Sequence, residues 1–161
     1  MSKPTVRSFQ TVWKQMDREH RRQAADALCT EPEYAKERSH AAAVLAARMH
    51  LRPQFAARLS AEKMATYLTS LDSLDELLSA TLVRAYLFTR QQPMLGMFLD
   101  DLQIEHKKGV IAADTVTAPA AEPLQSAVAK IRAAFDATEV QIYLEALKAS
   151  DPETWVNLEE S

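Results

Sequence analysis

Glycine is scarce: Gly96 and Gly109 are the only two in 161 residues. A backbone that closes around phosphates needs several, so the P-loop and the dinucleotide fingerprint are both excluded. Cysteine occurs once, at Cys29. That rules out an intrachain disulfide and a cysteine-based zinc site, and it fits a reduced, cytoplasmic setting. The longest small apolar run, 41–47, falls far short of the roughly 20 residues that cross a bilayer. The opening MSKPTVRSFQ has no apolar stretch behind its charges, so neither membrane insertion nor export is expected. Period-two alternation is also missing, which leaves steps of three and four as the dominant pattern.

Those steps predict an all-α chain: a compact multi-helix bundle of about eight helices forming one domain over 1–161. Phe9, Val12, Trp13, Met16, His20, Ala24, Ala27 and Leu28 make one stripe of a helix over about 6–29. Thr30 is expected to cap a second helix reaching about Leu51, with Tyr34, Ala41, Val44, Leu45, Arg48 and Met49 on its face. These two long N-terminal helices are expected to pair as an antiparallel hairpin. A short turn follows Pro53, and Ser60 caps a helix bearing Met64, Tyr67 and Leu68. Ser73 and Glu76 have capping-box spacing before a helix ending near Arg90, with Leu74, Leu77, Leu78, Leu82, Ala85 and Tyr86 inward. Pro93 opens a helix that carries Met94, Leu95, Met97, Phe98 and Leu102 toward Lys108. Residues 109–121 have no period and are expected to form an irregular connection. Helices from Pro123 and from Asp136 or Thr138 follow, and Asp151-Pro152 starts a last short one with Trp155 and Leu158.

Three segments share an aromatic-Leu-x-x-Leu pattern, at Tyr67, Phe98 and Tyr143. Their separations are unequal, so the pattern is core packing at helical spacing, not a solenoid repeat. Leu74-Asp-Glu-Leu77-Leu78 matches a short helical recognition motif and is likewise expected in the core.

The most enzyme-like feature is a pair of carboxylate-x-x-His steps, Asp17 to His20 and Glu37 to His40. Three residues on a helix place two side chains on one face, and di-iron bundles use Glu-x-x-His from two helices with a Glu from each of two others. Here the first step carries Asp in place of Glu, the two helices are neighbours in sequence, and Glu62, Asp75 and Glu76 are arbitrary choices for the rest. These four residues are therefore low-ranking metal candidates; no metal, no cofactor and no catalytic residue is assigned. Cys29 lacks a base to activate it and is expected as a buried thiol.

Residues 1–63 hold 12 Lys+Arg against 7 Asp+Glu, and residues 64–161 hold 7 against 15. Lys14, Arg18, Arg21, Arg22, Lys36, Arg38, Arg48, Arg52 and Arg58 offer a basic face, but Asp17, Glu19, Asp26, Glu33 and Glu37 interrupt it. Nucleic-acid binding is thus not the favoured partnership. Asp100, Asp101, Glu105 and His106 precede Lys107-Lys108-Gly109, and the cations with the glycine suit a helix C-terminus, with Gly109 left-handed and Val110 against Ile104. Gly96, inside a helix, is expected to permit close helix packing. The function expected is a helical interaction module, adaptor or regulator, with a protein partner or a second copy. The contrasting readings are a metal-dependent carboxylate/histidine bundle enzyme and a nucleic-acid-binding regulator.

Overall fold

The computed structural model describes residues 8–113 and 116–158; the expected helix start at 6 and part of the 109–121 connection lie outside them. The chain is all-α, with nine helices among the described residues. They are α1 (Phe9–Gln15), α2 (Arg18–Thr30), α3 (Ala35–Arg48), α4 (Pro53–Ala57), α5 (Ala61–Ser70), α6 (Glu76–Arg90), α7 (Gln92–Asp101), α8 (Ala121–Ala134) and α9 (Ala137–Ser150). Two short strands, β1 (His106–Lys107) and β2 (Val110–Ile111), pair antiparallel. The chain divides into two compact units, 13–90 and 91–161 with 1–12, the division falling inside α1.

In the 13–90 unit, α2 is the hub and packs chiefly against α5 and α6. Contact between α2 and α3 is slight, so the expected hairpin of two long neighbours gives way to a helix held by later elements. Small residues explain the choice. Ala24, Ala25 and Ala27 on α2 and Ala65 on α5 are buried, and they let the helix axes approach closely. The helix expected over 6–29 is in fact two. Asp17 leaves helical geometry and accepts the His20 N–H at 2.8 Å as the N-cap of α2, so the apolar stripe continues across a break.

Other boundaries move for similar reasons. Thr30 is the last residue of α2, not the cap of the next helix, and its hydroxyl donates to the Asp26 carbonyl. A 3-10 turn at Pro32–Tyr34 precedes α3. Helix α3 ends at Arg48, where His50 adopts a left-handed φ of 54° and the Leu51 N–H returns to the Ala46 carbonyl. That is the long hydrogen bond of a Schellman end. The turn expected after Pro53 is helical, with Pro53 at the start of α4. Ser60 caps α5 as expected, accepting from the Lys63 N–H. At α6 the cap is Asp75, whose carboxylate accepts the Leu78 N–H at 2.7 Å, not Ser73. Starting the helix there leaves Leu77 62% exposed, while Leu74 and Leu78 are buried.

In the unit containing 91–161, α7 packs on α8 and α8 on α9. Phe98 meets Tyr143 edge to face and lies against Trp155, giving an aromatic cluster of buried rings. Helix α7 stops at Asp101, well short of Lys108. Gln103, at φ 58°, ends it, with the Ile104 N–H on the Leu99 carbonyl and the Gln103 N–H on the Asp100 carbonyl. This is the Schellman motif expected at Gly109, placed six residues earlier. Gly109 is left-handed, at φ 88°, but it and Lys108 (φ 53°) form the two-residue turn joining β1 to β2. Positive φ at both central positions is the signature of a type I′ hairpin. Asp136 caps α9 through the Thr138 and Glu139 N–H groups. Residues 152–157 form turns in place of the last helix, yet Trp155 and Leu158 are buried.

Candidate functional site

The four metal candidates occupy two places in the 13–90 unit. Asp17 and His20 are joined at the head of α2, His20 Nδ1 lying 2.6 Å from the Asp17 carboxylate, and the imidazole edge meets the buried Tyr86 ring. The three-residue step is therefore accounted for by a cap. Its backbone hydrogen bond from His20 also holds the Asp17 carboxyl below the ordinary aspartate range. Glu37 and His40 lie on α3, and His40 Nε2 faces Asp75, at 3.6 Å from its carboxylate. Among the described residues, no three His, Cys, Asp or Glu side chains gather so as to hold a metal ion. Cys29 is buried, and burial pushes its thiol up to about 11, where the thiolate is scarce at neutral pH.

The basic residues divide by what they bind. Arg21 is buried, and its guanidinium sits 5.5 Å from the Trp13 ring centroid. It donates to the Trp13 and Lys14 carbonyls at the end of α1 and to Asp72 at 2.6 Å. The Trp13 indole N–H in turn donates to the Leu71 carbonyl. Arg38 closes the end of α2 through the Leu28 and Glu31 carbonyls, and Arg48 donates to the Ser73 carbonyl. Three arginines of the expected basic face are thus bound to main-chain oxygens, Arg21 and Arg38 at the ends of α1 and α2 and Arg48 in the connection before α6.

Arg18 and Arg22 remain on the surface of α2, and they line a groove between α2 and α5. Arg18, Arg22, Asp26 and Thr30 recur every four residues along α2 and face Glu62, Thr66, Ala65 and Thr69 of α5 across a cavity of about 480 Å³. The floor is Ala65 and Thr69, both buried. Each groove threonine spends its hydroxyl proton on its own helix: Thr30 on Asp26, Thr66 on Glu62, Thr69 on Ala65. Their oxygens can then only accept. The rim carries both signs, with Arg22 paired to Glu19 at 3.2 Å and Asp26 to Arg90 at 3.1 Å. These are exposed pairs that a partner's charges can replace at small cost. Sequence reasoning named Arg18, Arg22, Asp26 and Glu62 but not their grouping. The four-residue row 18, 22, 26, 30 is the signal that would have found it.

A second groove, of about 430 Å³, has a floor of Leu124, Val128, Leu144 and Leu158 with Arg132 at its side. In the Asp100–His106 cluster, His106 Nε2 contacts Asp100 at 2.7 Å, Lys130 bridges to Asp101, and the Gly109 N–H donates to His106 Nδ1. Gly96 lies under that imidazole, since an added Cβ would sit 3.6 Å from the His106 ring. That distance is ordinary contact, and the neighbour is a side chain of β1, not the second helix that close helix packing would bring. Family models, curated proteins and solved structures were compared with the chain, and none of the three gives a match.

Proposed function

We propose that the chain is a helical interaction module, an adaptor or regulator, whose α2–α5 groove receives a polypeptide segment carrying both charge signs. The observation behind this reading is the groove itself: an open channel between two rigid helices, with small residues on its floor and replaceable ion pairs on its rim. A chain segment lying there would meet the hydroxyl acceptors of Thr30, Thr66 and Thr69, with Arg18, Arg22, Asp26 and Glu62 at the edges. Protein is the partner the reading names, in preference to nucleic acid, because Asp26 and Glu62 would repel a phosphate backbone. The setting it names is the cytoplasm, where a lone thiol such as Cys29 stays reduced.

The test places a photo-crosslinking residue at position 66, inside the groove, and at position 36 as a control, in cells expressing the full chain. One discrete protein adduct from position 66, missing from position 36 and lost in an Arg18→Glu/Arg22→Glu variant, is the expected result. An adduct at the mass of two chains would identify the partner as a second copy. Equal labelling from both positions, or none from position 66, would remove the reading.

A further inference from the structure

We propose that the 106–111 hairpin is a pH-operated latch on α7, closed by neutral His106 and released when that imidazole takes a second proton. The bonding fixes the closed form. A backbone N–H can only donate, so the Gly109 N–H on His106 Nδ1, at 3.1 Å, requires that nitrogen to be bare. The ring proton is then on Nε2 and is donated to the Asp100 carboxylate at 2.7 Å. The imidazole rests over Gly96, and its side chain is 15% exposed. Gly109 closes against α7 so tightly that an added Cβ would lie 2.7 Å from Leu95 Cβ. Two residues of the hairpin, His106 and Gly109, thus dock on two of the helix, Gly96 and Leu95.

A proton on Nδ1 sets two N–H groups against one another, and one of them must withdraw. Asp100 holds the Nε2 side in either protonation state, and more strongly against imidazolium. The bond that fails is therefore the one to Gly109. The charges about the ring are Asp100 and, beyond it on α7, Asp101 with its Lys130 bridge from α8; the hairpin contributes Glu105, Lys107 and Lys108. Release lifts Gly109 from Leu95, which is fully buried in the closed form, and uncovers apolar surface on α7. An unpaired Lys108-Gly109 turn also loses the reason for its two positive φ angles.

Amide hydrogen exchange on the full chain at about pH 8 and about pH 5, corrected for intrinsic rates, tests the latch. Protection of the Gly109 N–H, and of the Ala112 N–H bonded to the Glu105 carbonyl, is expected to fall by roughly tenfold or more at the lower pH. Amides of α8 and α9 should hold. His106→Asn keeps a side-chain acceptor near the Nδ1 position without titrating, so its hairpin should be equally protected at both pH values. Unchanged wild-type protection, or the same loss in H106N, would overturn the proposal. Should H106N fail to fold, the ring nitrogens of wild-type His106 decide the matter: their NMR shifts must report the Nε2–H tautomer at the higher pH, and the Nδ1–H tautomer would exclude the latch.

Discussion

The two units tie their connecting segments to their helices with different chemistry. In 13–90, arginines reach main-chain carbonyls: Arg21 to Trp13 and Lys14, Arg38 to Leu28 and Glu31, Arg48 to Ser73. In the other unit, a side-chain pair ties α8 to α7 and an imidazole with a glycine turn holds the segment after α7, while Phe98, Tyr143 and Trp155 form a buried ring cluster. Residues 13–90 hold 12 Lys+Arg to 10 Asp+Glu, against 7 to 12 in the remainder. The lesson is that a basic segment is not a basic surface. A guanidinium has five donors in a rigid fork and suits carbonyls at a helix end as well as it suits phosphate.

The strongest test of the aromatic side of the contrast is Phe98→Ala. Removing a buried ring with two ring neighbours should lower stability by about 3–5 kcal/mol in urea unfolding. A loss under about 1 kcal/mol would show that the cluster is not what holds that unit together. For the arginine side, Arg21→Met takes the donor from the Lys14 carbonyl, while the Trp13 carbonyl keeps the Met16 N–H, and should cost roughly 1–3 kcal/mol. Arg21→Lys should recover little, because one ammonium cannot span three acceptors. Asp72→Asn should cost under about 1 kcal/mol, since Asp72 is 83% exposed. If Asp72→Asn instead matched Arg21→Met, the ion pair would be the clamp and the carbonyls incidental.

The two glycines sharpen the comparison within one unit. Gly109→Ala strains a positive φ and meets Leu95 at 2.7 Å, so a loss of roughly 1–3 kcal/mol is expected. Gly96→Ala meets only ordinary contact and removes glycine from a helix, so a gain of up to about 1 kcal/mol is expected. Thermal midpoints moving in the same direction for both would contradict the assignment of their roles. Across the units, His50→Gly and Gln103→Gly relieve the same left-handed strain at two helix ends and should each gain about 0.5–1 kcal/mol. An equally small effect, but one that depends on pH, is at Asp17. Its carboxyl is held below the ordinary range, so its contribution is present above the unfolded value and fades as pH falls through the folded one. Asp17→Ala should cost about 0.5–1 kcal/mol at pH near 7 and nothing measurable well below the aspartate range.

What could be read in the sequence was whatever depends on a residue and its near neighbours along one helix. Ser60 as a cap, Asp136 as one of two candidate caps, Pro93 in a first turn, the end of α6 at Arg90 and a left-handed Gly109 all fall in this class. Misplacements arise where two local signals compete. Asp17 was read as half of a ligand-spaced pair inside one helix and is the cap of α2, and Ser73 lost the cap to Asp75 two residues later. Lys107, Lys108 and Gly109 suit a helix end, but Gln103 had already ended α7 six residues before.

The sequence by itself determined the all-α class, most of the core and the burial of Cys29, because apolar periodicity and residue size act over a few positions. Only the tertiary structure decided that Arg21, Arg38 and Arg48 face carbonyls, that α2 packs on α5 and α6 more than on α3, and that Gly96 lies beneath His106. Each of these joins residues from different elements, and Arg21 and Asp72 stand 51 positions apart. A guanidinium, an alanine face and a glycine each have several partners of nearly equal energy in an extended chain. Packing chooses among them by excluding water from one set and not from the others.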